Sequence, residues 1–195
     1  MNCLNELAGF LSGLRSMKVT ERKRSCERLA DALQRDYIKT ALNGASASRS
    51  KISWACVSNS ALEFVADEHE RAHAKARANA IELSSRDVAA SLHLLKALVQ
   101  ACSTQKAAHL NARPILEHIS RVLSTKPCSQ DILRNYVSYL LDILVTPHWH
   151  SSLPALSYNR LVQAVCSCLR HESRDGSSIA LSRSLQILVS VGFLY

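Results

Sequence analysis

A chain of 195 residues with 47% apolar side chains has ample material for one core, and no apolar stretch reaches the roughly 18 residues that a membrane-spanning helix needs. Five glycines, four prolines and only 5% aromatic residues argue for helices packed through aliphatic side chains and joined by short connections. The formal charge of +8 and a pI near 9.3 favour acidic partners, but the cations are spread along the chain without a long Lys/Arg run or interleaved aromatics, so most belong to solvated helix surface and contact with DNA is at most indirect.

In chain order, the first predicted helix covers about 2–15, with Leu4, Leu7, Leu11 and Leu14 on one face. The second covers about 20–42 and stops at Asn43-Gly44. A serine-rich loop, 45–51, leads into a helix over 52–83, continuous or in two pieces that meet near His73. Further helices are expected near 86–102, 112–124, 129–146, 157–171 and 178–195, with Pro114, Pro127, Pro147 and Pro154 at their boundaries. About eight helices without strand-like alternation or a clean repeat period describe an all-α chain, an irregular HEAT-like α-solenoid. The last segment stays apolar through Phe193, Leu194 and Tyr195, so 1–195 reads as a single helical segment and as a fragment of a longer polypeptide.

Seven cysteines, at 3, 26, 56, 102, 128, 166 and 168, fall mostly on apolar stripes, where a free thiol acts as a small hydrophobe. An odd count and the absence of a signal peptide imply a reducing compartment, nucleus or cytosol.

The most informative stretch is Thr20-Glu21-Arg22-Lys23-Arg24. Cys26, Leu29, Leu33 and Tyr37 follow it on one helix face, and Arg22, four residues before Cys26, falls on the same stripe while Glu21 and Arg24 point away. A cation there snorkels to water from the helix end, pairs with a carboxylate on a neighbouring helix, or meets a group outside the chain.

Leu7, Leu14, Lys18, Thr20, Glu21, Arg22, Lys23, Arg24, Leu29 and Leu33 are laid out like the TAN motif (about 7–37), which opens the ATM/Tel kinases of the phosphatidylinositol-3-kinase-related family. Lys51-Ile52-Ser53-Trp54 and the apolar run to Val65 resemble that family's next helix, and Leu94-Leu95-Lys96 through Ile119 and the segment around Trp149 are similar again. The resemblance is closest over residues 1 to about 42, looser to 125 and faint beyond. It implies a nuclear, or else cytoplasmic, non-catalytic module that recruits a DNA-damage and telomere-maintenance serine/threonine kinase through protein partners, the MRN break-sensor complex among them. The parent kinase domain is not in this sequence, and the remainder of that kinase would be a further partner. Lys18, Thr20, Glu21, Arg22, Lys23 and Arg24 are the expected partner-binding residues, held by packing of Leu7, Leu14, Leu29, Leu33 and Trp54. The alternative is that the charged motif is an internal network fixing the start of the solenoid.

Catalytic and metal readings are poorly supported. His69-Glu70-Arg71-Ala72-His73 fits the H-E-x-x-H pattern of zinc hydrolases, with two histidines one turn apart. Arg71 inside it, the charged flanks and the missing third ligand instead describe an exposed charged helix. Cys166-Ser167-Cys168 with His171 lacks a second ligand pair, and His148-Trp149-His150 reads as a Trp anchor flanked by histidines. There is no nucleophile elbow, phosphate-binding glycine loop or kinase catalytic constellation, so neither enzyme activity nor a cofactor is expected. Thr104-Gln105 and Ser129-Gln130 match the target dipeptide of the family's kinases at the frequency that composition alone provides.

Overall fold

The structure, a computed structural model, describes residues 3–45, 52–81, 83–103, 114–119, 121, 132, 135, 136 and 139. The chain divides into two compact units, Met1–Lys106 and Ala107–Tyr195. Every regular element among the described residues is helical.

The first unit begins with α1, Cys3–Leu14, whose Leu7, Leu11 and Leu14 are buried at the spacing of one helix face. Two short-range bonds close its last turn, from Arg15 N to Ser12 O and from Ser16 N to Gly13 O, both 3.1 Å. After four connecting residues α2, Val19–Gln34, starts and buries Cys26, Leu29, Ala30 and Leu33. Gly13 lets α1 and α2 approach closely: a Cβ there would overlap the Ser25 hydroxyl and lie 2.8 Å from Ser25 Cβ.

The helix expected over 20–42 is two helices. Arg35 takes an extended conformation (φ −81°, ψ 127°), and its carbonyl accepts the first bonds of α3, Asp36–Ala45. Asp36 in the first turn of α3 suits the positive end of its dipole. The break resets the period, so Ile38 and Leu42 take the buried positions while Tyr37, expected on the α2 stripe, is exposed. Its hydroxyl instead accepts a 2.9 Å bond from Arg35 Nη1.

Ser53 caps α4, Trp54–Ala78, by accepting from Cys56 N at 3.3 Å. The helix is continuous through His73 and ends before 83. Its stop is a Schellman turn, with Ala80 at φ 51°, Ile81 N donating to Ala76 O and Ala80 N to Arg77 O. A turn at 84–88 follows, in which Ser84 N and Oγ both donate to Asp87 Oδ2 at 2.9 Å. That turn delays α5 to Ala89–Ser103, three residues past the expected start. Leu92, Leu94, Leu95, Leu98 and Val99 are buried on several sides of α5, because it packs against both α2 and α4. The α1 helix in turn packs on α2 and α4.

In the second unit residues 114–119, 121, 132, 135, 136 and 139 are helical, with Pro114 at the start of its segment. Ile115, Leu116, Ile119, Ile132 and Tyr136 are buried, and His118 Nε2 lies 3.2 Å from Tyr136 Oη. The expected helices 157–171 and 178–195 lie outside the described residues. So do Cys128, Cys166, Cys168, His171, His148, Trp149, His150, Thr104-Gln105 and Ser129-Gln130.

Candidate functional site

The charged motif sits where α1 turns into α2, with α4 alongside. Arg22 occupies the first turn of α2 on the buried side, where its fixed, planar guanidinium can serve several acceptors at once. Arg22 Nε donates to Glu68 Oε1 on α4 at 3.2 Å, and Nη1 donates to the carbonyls of Ser16 and Met17 at 3.0 and 3.2 Å. Its side chain is 11% exposed and that of Glu68 21%. The same Glu68 oxygen accepts from Arg71 Nη1 at 2.8 Å, so one carboxylate ties the turn to α4 and to its own helix. Of the partners open to Arg22, the structure supplies the carboxylate of a neighbouring helix.

The turn has its own brace. Lys18 is the N-cap residue and its side chain makes no capping bond. Instead Ser16 Oγ accepts the Lys18 N–H at 3.2 Å and donates to Glu21 Oε2 at 2.6 Å. This is a capping box routed through a third residue: the Glu that would take the N-cap amide directly reaches it through Ser16. On the outer edge Arg15 pairs with Glu63 at 3.3 Å, both well exposed.

The predicted site residues therefore divide. Lys18, Thr20, Glu21, Lys23 and Arg24 are exposed around the turn and the outer surface of α2. Arg22 points inward. Lys18, Lys23 and Arg24 form no ion pair among the described residues. Leu7, Leu14, Leu29, Leu33 and Trp54 are all buried. Reading the sequence alone missed Glu68 and Ser16. The signal for Glu68 was its place four residues after Phe64 and three after Val65, which are buried on the inner face of α4, and a charged run on both sides masked it.

A cleft of about 380 Å³ opens between α2, α4 and the leading turn of α5, lined by Lys23, Glu27, Phe64, Glu68, Arg86 and His93 among others. Its charges alternate in sign and give no single ligand chemistry. Cys26 Sγ donates to Ala90 O at 3.2 Å, linking α2 to α5. Burial, with Glu27 and Glu68 adding to it, pushes its thiol up to about 12, so it packs and does not act as a nucleophile. Burial does the same to Cys102. In the H-E-x-x-H stretch His69 is buried, His73 is half-buried and Glu70 is exposed, so the three do not share one environment. No group of three or more His, Cys, Asp or Glu is arranged to hold a metal among the described residues.

A family model described as telomere-length maintenance and DNA damage repair (TAN) matches residues 7–154, a span that takes in the stretch beyond 125 where the resemblance is faint. No curated protein and no solved structure matches the chain.

Proposed function

The chain belongs to the TAN family of telomere-length maintenance and DNA damage repair, and on that premise we propose that it is a non-catalytic recruitment module of an ATM/Tel-like serine/threonine kinase. In this reading the helices form the start of an irregular α-solenoid and act in the nucleus, bringing the kinase to DNA breaks and telomere ends by binding protein, with the MRN complex as the candidate partner. Phosphoryl transfer belongs to a catalytic domain elsewhere in the kinase. The solenoid reading is supported by the packing of chain neighbours, α1 on α2 and α4 on α5, although the most extensive packing joins α2 to α5, which are not neighbours in the chain.

The observation that carries the proposal is the division within the motif. Arg22 is committed to Glu68 and to the turn carbonyls, while Lys18, Lys23 and Arg24 stand exposed beside it with no carboxylate of their own among the described residues. Free cations on a braced turn suit an acidic protein surface. The internal-network reading gains from the same observation, but for Arg22 alone: that residue is the clasp, and the exposed cations are the contact.

Capture of purified MRN components by wild type, Lys18→Glu/Lys23→Glu/Arg24→Glu and Arg22→Glu, each with a melting curve, tests this. The triple variant should melt like wild type and lose capture. Full capture by the triple variant would remove the exposed cations from recruitment.

A further inference from the structure

We infer that the turn between α1 and α2 is a recognition knob, in which Met17 and Val19 enter an apolar pocket on a partner protein and Lys18, Lys23 and Arg24 meet an acidic rim around it. The inference rests on the recruitment reading and names the surface that performs it. Met17 is 94% exposed and Val19 52%. Scattered exposed apolar side chains are ordinary. Here two of the four large ones among the described residues flank a single lysine at the tip of one turn, whereas Tyr37 and Ile81 stand alone.

The backbone beneath these side chains is fixed. Arg22 holds the carbonyls of residues 16 and 17, and Ser16 joins the Lys18 amide to Glu21. A surface already held in shape loses less entropy when a partner closes on it. Met17 adds a flexible, polarisable chain that adapts to an irregular pocket.

Charge completes the description of the occupant. Lys23 follows Val19 by four positions and Arg24 follows Thr20 by four, so each stands one helical turn behind the tip. With Lys18 they are exposed and free of ion pairs among the described residues, whereas Glu21 is engaged by Ser16. The complement is a pocket with carboxylates at its edge. Nucleic acid fits less well, because Glu21 and Glu27 interrupt the row of cations and no aromatic side chain stands in the turn.

The test uses the full chain and fluorescence anisotropy with three probes: a peptide alternating leucine with aspartate and glutamate, the same peptide with serine replacing leucine, and a DNA duplex. Met17→Asp/Val19→Asp and Lys18→Glu/Lys23→Glu are compared with wild type, with melting curves to show that these exposed changes leave the fold intact. The leucine peptide should bind saturably, each variant should raise its Kd at least tenfold at unchanged Tm, and the serine peptide should bind at least tenfold more weakly. Equal binding by the tip variants or by the serine peptide overturns the knob, as does the absence of saturable binding by wild type. Duplex binding that the tip variants abolish, with the peptides unbound, would assign the turn to nucleic acid instead. If MRN capture persists in the tip variants, recruitment stands without the knob; if wild type captures nothing, recruitment itself fails.

Discussion

Replacing Arg22 with methionine removes the guanidinium and keeps most of the aliphatic stem, so the loss it measures is that of the clasp. Three bonds disappear: one to Glu68 Oε1 and two to the carbonyls of Ser16 and Met17. A bond from a charged donor contributes about 1.5–3 kcal/mol when fully desolvated. Two features reduce the total here. Water reaches both partners in part, at 11% and 21% exposure, and Glu68 keeps its 2.8 Å bond from Arg71, so no carboxylate is stranded. A net loss of about 2–3 kcal/mol follows for R22M, and at roughly 2–4 °C per kcal/mol for a chain of this length the Tm falls by about 5–10 °C. R22E places a like charge against Glu68 and costs more. Thermal melting followed by circular dichroism gives these numbers, and the cycle R22M, E68Q and their double variant isolates the pair, with an expected coupling of about 1 kcal/mol. An R22M protein melting within about 1 °C of wild type would refute the clasp, since no conserved stem packing can hide the loss of all three bonds.

At the α1–α2 crossing, Gly13→Ala should cost about 1–3 kcal/mol in a urea titration because the added methyl overlaps Ser25. Gly9→Ala, whose Cβ meets nothing within 4 Å, should instead gain up to about 1 kcal/mol. Ala80→Gly, which relieves a left-handed residue at the end of α4, should raise stability by about 0.5–1 kcal/mol in the same assay. His118 is held neutral in the folded chain, its pKa pushed down to about 4 by burial first and the Arg121 charge second, against 6.5 without the fold. Above pH 6.5 both states are neutral and it adds no pH dependence; between pH 6.5 and 4 only the unfolded chain takes up the proton, so stability falls by at most about 1.4 kcal/mol per pH unit. His118→Gln should flatten that decline relative to wild type in urea midpoints taken across the range. With a thiol reagent and mass mapping, Cys56 should label in the native protein, whereas Cys26 and Cys102 should label only after denaturation.

Much of the first unit was legible because its packing obeys a simple period. Leu7, Leu11 and Leu14, and then Cys26, Leu29 and Leu33, recur at helical spacing and are the residues that become buried. Element ends were less legible where no glycine or proline marks them. Arg35 is an ordinary helix former, yet it takes an extended conformation between α2 and α3. Likewise Ala80 does what a glycine usually does, so the stop of α4 carried no local sign. Arg22 announced itself as a cation on an apolar stripe, but its direction could not be read from the sequence. Its partner lies on another helix, inside the charged run Asp67-Glu68-His69-Glu70-Arg71, where only its spacing from Phe64 and Val65 sets one carboxylate apart from the others.

The shared oxygen of Glu68 also bears on what kind of object the motif is. Arg22 reaches 46 positions along the chain for its carboxylate, and that carboxylate is steadied by a residue further on still. A synthetic peptide covering 7–37 would contain each letter of the motif and lack the group that gives the letters their arrangement. Transplanted into another protein, the segment would carry its charges without its shape. What arranges the motif is a contact between distant parts of the chain, so a change at 22 is felt at 68.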